Sequence, residues 1–184
     1  MKDGFAADYA AETLEEWPSS LPDHTFTPPG TSQGRASLIR VMPYDGPEWT
    51  ASVSALPDPP RRAVTGLFAT PNPATLCVLQ QGTPFLIEVM APRTGRCIDT
   101  GAAVTSVREA GQARLLLLAT DWDVLAVGTD GVAWRTDRIS VERLRIDEID
   151  DLRLRGVADP DDDEPRDFAI DLTDGTTVGG AGPF

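Results

Sequence analysis

The sequence predicts a mostly β protein, with antiparallel meanders forming a small sandwich or a propeller-like stack and one N-terminal helix. Three observations carry that expectation. Apolar and alternating runs are short, clusters of Gly, Pro, Asn and Asp interrupt them at close intervals, and only one segment has the composition of a helix.

The helical segment is residues 5–17, rich in Ala, Glu and Leu, with Asp3 placed to cap it and Pro18 to stop it. On a helix Phe5, Tyr9 and Leu14 share one face and Trp17 lies at its end. That face either packs on the body of the protein or docks on a partner. Residues 18–34 carry Pro18, Pro22, Pro28, Pro29, Gly30 and Gly34 and read as a linker or extended strap. The expected organisation is therefore a helix and Pro-rich strap over 1–34 and a single antiparallel β domain over 35–184.

Strands follow in order. Residues 37–42 and 49–54 form a hairpin around Asp45-Gly46, and Pro57-Asp-Pro-Pro60 breaks the chain. Residues 63–69, 75–79, 84–90 and 97–98 form a meander, turning at Pro71-Asn-Pro73, Gln80-Gln-Gly82 and Arg93-Thr-Gly95. A second meander comprises 103–107, 114–119, 123–127 and 132–136, turning at Gly111 and Thr129-Asp-Gly131. Residues 139–146 are mixed, 152–156 alternate, and 168–172 and 176–178 flank Thr173-Asp-Gly175. Phe68-Ala-Thr70 matches Leu118-Ala-Thr120, Leu76-Cys-Val78 matches Leu125-Ala-Val127, and Ile98-Asp99 matches Ile146-Asp147. A period of about fifty residues is that of propeller blades; two meanders of similar composition give the same matches.

Composition narrows the chemistry. The chain has 184 residues, 16 basic and 29 acidic, for a net charge of −13. This acidity argues against nucleic acid, whose phosphates need clustered Lys and Arg. One His (His24) and two Cys (Cys77, Cys97) are too few for a structural zinc site. Dinucleotide, Walker and nucleophile-elbow motifs are absent, so neither a cofactor nor a metal is expected. His24 lies in a Pro-rich stretch and reads as a loop imidazole, not a catalytic base. The N-terminus is acidic and no apolar run approaches about 20 residues, so a cytoplasmic protein without membrane contact is expected. Cys77 and Cys97 are then reduced, although neighbouring strands of one sheet leave a disulfide open.

Two surfaces are candidates for binding. The first is Asp121, Trp122 and Asp123 together with Trp134 and Arg135. Strict alternation puts Trp134 on one face with Val132 and Thr136, and Arg135 on the other with Ala133. A Trp among Asp and Arg groups suits a peptide, a sugar or a partner side chain; Trp134 as core is the plainer alternative. The second is the acidic stretch 142–174, with 13 acidic and five basic groups, a net of −8. Within it Asp161, Asp162, Asp163 and Glu164 lie between two prolines. It reads as a solvated loop, as a calcium loop lacking EF-hand spacing, or as a surface for a basic partner.

The segments Asp130-Gly-Val-Ala-Trp-Arg-Thr-Asp-Arg-Ile-Ser140, Leu144-Arg-Ile146, Phe168-Ala-Ile-Asp-Leu-Thr-Asp-Gly175 and Gly179-Gly180 resemble a group of uncharacterised bacterial proteins. Those share an Asp-Gly-x-Ala-Trp hairpin and a closing Asp-Leu-x-x-Gly…Gly-Gly tail. Val141 and Val157 stand where those proteins carry an aromatic residue. The resemblance covers roughly 115–180 and implies a shared fold, with no activity attached.

The function expected from these features is a non-catalytic protein-interaction module, an immunity- or antitoxin-like or accessory protein that binds a basic partner. One alternative is a carboxylate-based hydrolase acting on a glycan, with two of Asp121, Asp123 and Asp137 about 5–10 Å apart. The other is a structural subunit whose strands 49–54 and 152–155 pair with further copies.

Overall fold

Alternation along the strands builds the molecule. A computed structural model describes residues 4–16, 19–31 and 35–181 and, among them, sixteen strands in four four-stranded sheets. The chain divides into two compact units, Met1–Ala103 and Val104–Phe184.

In the first unit, β1 (Tyr9–Leu14), β2 (His24–Phe26), β3 (Ala36–Pro43) and β4 (Trp49–Ser54) form one sheet in the order β1-β3-β4-β2. Only β2 is parallel to its neighbour, β4. Strands β5 (Gly66–Ala69), β6 (Thr75–Gln80), β7 (Thr83–Glu88) and β8 (Arg96–Cys97) form an antiparallel meander, with a 3-10 turn at Pro92–Thr94. Alternate residues of both sheets fill one core: Ile39 and Val41, Trp49, Ala51 and Val53, Leu76 and Val78, Phe85 and Ile87.

The second unit repeats this two-layer plan. One meander holds β9 (Ser106–Ala110), β10 (Leu115–Ala119), β11 (Val124–Gly128) and β12 (Gly131–Arg135). The other holds β13 (Leu144–Ile149), β14 (Arg153–Ala158), β15 (Arg166–Asp171) and β16 (Thr177–Gly179). Leu115, Leu117, Val124, Ala126 and Trp134 meet Leu154, Ala158, Phe168 and Ile170 in its core. Antiparallel meanders were thus legible from the sequence.

The N-terminal helix was not. Residues 9–14 form β1, paired with β3 from Tyr9↔Pro43 to Leu14↔Leu38. Helix propensity is a weak preference, and a segment this short is marginal as a helix in water. As a strand it buries Tyr9 and Ala11 in the core and lets the Tyr9 hydroxyl donate to the Thr75 carbonyl at 3.0 Å. The capping Asp3, the stopping Pro18, Trp17 at the end of the expected helix and Gly34 of the strap lie outside the described residues. The strap also supplies a strand: Asp23 accepts hydrogen bonds from the Thr50 N–H (2.8 Å) and hydroxyl (3.0 Å), aligning β2 beside β4. The units therefore divide between Ala103 and Val104, while the sequence reading put a boundary between 34 and 35.

The fifty-residue match is one of hairpins. Thr70 closes the β5–β6 turn by donating its hydroxyl to the Thr75 carbonyl, and Thr120 closes β10–β11 through its N–H to the Asp123 carbonyl. However, β5 is an edge strand of its sheet and β10 is the second strand of its own, so the matched segments are out of step by one strand.

The cysteines are apart. Cys77 lies opposite Leu86 and Cys97 opposite Phe85 on the intervening β7, so they face opposite sides of the sheet, two strands distant. Two strand spacings are about 9.5 Å, beyond disulfide reach. Burial pushes the Cys77 thiol up to about 12, and burial with the nearby Asp99 charge raises Cys97. Under native conditions a maleimide is expected to label half-buried Cys97 and leave Cys77 unmodified, as read by peptide mass mapping.

In each unit a tryptophan joins the two sheets. The Trp49 indole N–H donates to the Val89 carbonyl just past β7, and the Trp134 indole N–H to the Leu172 carbonyl just past β15, both at 3.0 Å. Trp49→Phe and Trp134→Phe each leave a buried carbonyl without its donor and are expected to destabilise the protein by about 1–3 kcal/mol, measured by urea unfolding.

Candidate functional site

The sequence-predicted aromatic site lies on the β11–β12 hairpin, and a bulge reorganises it. Ala126 pairs with Trp134 and Val127 with Val132, leaving Ala133 unopposed. The extra residue breaks strict alternation, so Val132 and Trp134 do not share a face: Val132 is 42% exposed and Trp134 only 9%. Trp134 is a core residue, pressed by Gly175, whose added Cβ would lie 2.8 Å from the indole ring. Gly175 also has φ +79°, so a side chain there is disfavoured twice.

Asp123 is buried in the turn that precedes β11. Its carboxylate accepts the Thr120 hydroxyl and both Nε–H and Nη2–H of Arg135, whose side chain is 39% exposed. Trp122 is half-exposed and its ring lies under the Arg138 guanidinium, 4.9 Å from the centroid. The Arg138 guanidinium also donates through Nε–H to the Ser140 carbonyl and through Nη2–H to the Val141 carbonyl, each at 2.8 Å. Asp121 accepts the Thr105 hydroxyl at 3.2 Å. The structure thus brings Trp122, Asp123 and Arg135 to one hairpin end and removes Trp134 to the core.

The acidic loop has a buried root that sequence reading passed over. Asp159 is 6% exposed and has φ +51°. Its carboxylate accepts the Ser140 hydroxyl (2.6 Å) and the successive backbone N–H groups of Val141 (3.1 Å), Glu142 (2.7 Å) and Arg143 (3.3 Å). Converging N–H groups of this kind form an anion-binding nest, here filled by the protein's own carboxylate. Burial opposes the charge, yet the bonds from Ser140, Glu142, Val141 and Arg143 outweigh it and hold Asp159 below the usual carboxylate range. From that root Asp161 pairs with Arg143, while Asp162, Asp163 and Glu164 project into solvent. The available signal was Asp-Pro at the head of the run, since Asp tolerates a left-handed conformation.

Other candidates find different places. His24 is half-buried on β2, edge-on to Trp49 at 5.5 Å, and not in a loop. Asp137 lies on the connection after β12, in a cleft of about 460 Å³ shared with Asp174. Among the described residues no group of three or more His, Cys, Asp or Glu is arranged to hold a metal ion. No helix among them is long and apolar enough to cross a membrane. Compared with known protein families and with curated proteins, the chain matches none.

The depressed pKa of Asp159 sets a pH dependence. Its contribution is present above the unfolded value, near 3.8, and is lost as pH falls through the lower folded value. Thermal midpoints are therefore expected to fall on acidification below about pH 4, less steeply in Asp159→Asn, which is also less stable at neutral pH. Asp23, Asp147, Asp150 and Asp174 shift in the same direction, so part of the slope remains in that variant.

Proposed function

We propose that this chain is a protein-interaction module that binds a basic partner through the acidic surface of its second unit. The observation that carries the reading is the acidic loop, which projects Asp162, Asp163 and Glu164 into solvent from a root fixed by the buried Asp159. A fixed root lowers the entropy lost by the loop on binding. Of the net charge of −13, the second unit holds −9, from nine arginines and 18 carboxylates.

The neighbouring sheet adds support. Arg145 pairs with Asp147, and Arg155 with Glu148 and Asp150, so these arginines make their ion pairs on their own sheet, and of the two only Arg145 also feels the loop, through Asp161. A partner rich in Arg and Lys gains steering from the field of the whole unit and specificity from the fixed carboxylates. An immunity- or antitoxin-type inhibitor that screens a basic enzyme surface is one form of such a module.

Binding of an Arg-rich peptide to the immobilised chain tests the reading. Retention is expected at low salt and loss at high salt, with the triple variant D162N/D163N/E164Q weakening it about tenfold. The control E15Q/E16Q/E48Q removes the same charge from the first unit and is expected to bind as the parent does. Equal binding by the loop variant, or equal weakening by the control, overturns the assignment to this loop.

A further inference from the structure

Two exposed apolar side chains stand beside the root of the acidic loop. Trp122, in the turn before β11, is 39% exposed, and Val141, on the connection from β12 to β13, is 45% exposed. We propose that Trp122 and Val141 are the anchor point of the acidic surface, where a basic protein partner seats an apolar side chain flanked by Arg or Lys. This inference rests on the basic-partner reading and names the partner's chemistry at that same surface.

One guanidinium joins the two residues. Arg138 lies 4.9 Å from the centroid of the Trp122 ring and donates through Nη2–H to the Val141 carbonyl. The backbone joins them as well: the Ile139 and Ser140 N–H groups both donate to the Trp122 carbonyl, at 2.7 and 3.3 Å. The next three N–H groups, of Val141, Glu142 and Arg143, go to the buried Asp159 carboxylate. Arg143 then pairs with Asp161 in the loop. Trp122, Val141, the exposed Glu142 and the loop carboxylates therefore lie along one hydrogen-bonded path. The backbone under the apolar pair is held by these bonds before a partner arrives, which lowers the entropy lost on binding.

The chemistry along that path selects the partner. An exposed indole and isopropyl group gain by exchanging water for an apolar side chain. A wholly apolar partner would take water from Glu142, Asp162, Asp163 and Glu164 without supplying a counter-charge. A partner that is only basic would leave Trp122 and Val141 in water, and a guanidinium brought onto the ring would meet the Arg138 cation already there. Cations at the loop and hydrocarbon at Trp122 and Val141 satisfy both ends, as in an interface with an apolar centre and a charged rim. Tryptophan is also among the residues that carry most of the binding energy at such centres.

The test uses two peptides of equal charge on the full chain. One alternates arginine with serine; the other is the same peptide with its central serine replaced by leucine. By calorimetry the leucine peptide is expected to bind about tenfold more tightly, the gain from burying part of one aliphatic side chain. Trp122→Ala and Val141→Ser are each expected to remove most of that advantage and to leave the affinity of the serine peptide unchanged. The triple variant D162N/D163N/E164Q is expected to weaken both peptides by the same factor. In the labelled parent the Trp122 indole N–H resonance is expected to shift with the leucine peptide alone, while the Trp134 indole stays in place and reports an intact fold. Equal affinities of the two peptides overturn this inference and leave the basic-partner reading standing. So does a leucine advantage that survives both substitutions, or a loss that falls equally on both peptides. Failure of both peptides to bind at low salt overturns the basic-partner reading and this inference with it.

Discussion

An indole N–H that crosses from one sheet to a backbone carbonyl of the facing sheet occurs in both units. Trp49 reaches Val89 and Trp134 reaches Leu172. Each acceptor sits just past the third strand of its meander, where the ladder has ended and a buried carbonyl needs a donor from elsewhere. Each tryptophan also places a large apolar surface between the layers. One side chain therefore satisfies the strand end, sets the separation of the sheets and fills the core. The rest of the second unit depends on this placement. Gly175 lies on the Trp134 ring, the β15–β16 hairpin follows Gly175, and the cleft beside Asp137 and Asp174 is the space that this hairpin leaves.

Electrostatics in the second unit obey a similar economy. A buried carboxylate is costly unless several donors meet it. Asp123 meets Arg135 and Thr120, and Asp159 meets three backbone N–H groups and Ser140. Their own carboxylates thereby anchor both segments, one at Arg135 and the other at the 140–143 backbone. The acidic loop and the cleft wall are thus two outcomes of one device, a buried aspartate that holds the backbone or an arginine for the residues around it.

Much of the fold was legible because turn chemistry is local. Strand β4 runs over 49–54 as read, and Gln81 and Gly82 both take positive φ, which the β6–β7 hairpin turn requires. The candidate site was less legible. Trp122, Asp123 and Arg135 were found together, and Trp134 lies in the core, the plainer of its two readings, but the bulge at Ala133 turned Val132 away from the face that Trp134 shares with Thr136. Asp159 was read as one carboxylate among many, because its donors lie in 140–143, beyond any local window.

The sequence by itself determined the antiparallel meanders, the turn positions and the concentration of negative charge after residue 142, since each follows from near neighbours in the chain. Tertiary structure alone decided that residues 9–14 are a strand, that Cys77 and Cys97 face apart, and that one aspartate of the acidic run is buried. Each of those outcomes rests on a partner dozens of residues or several strands away: the Thr75 carbonyl for Tyr9, the register across β7 for the cysteines, the 140–143 backbone for Asp159. Local propensity does not encode such partners; burial and hydrogen bonding across the folded chain select them.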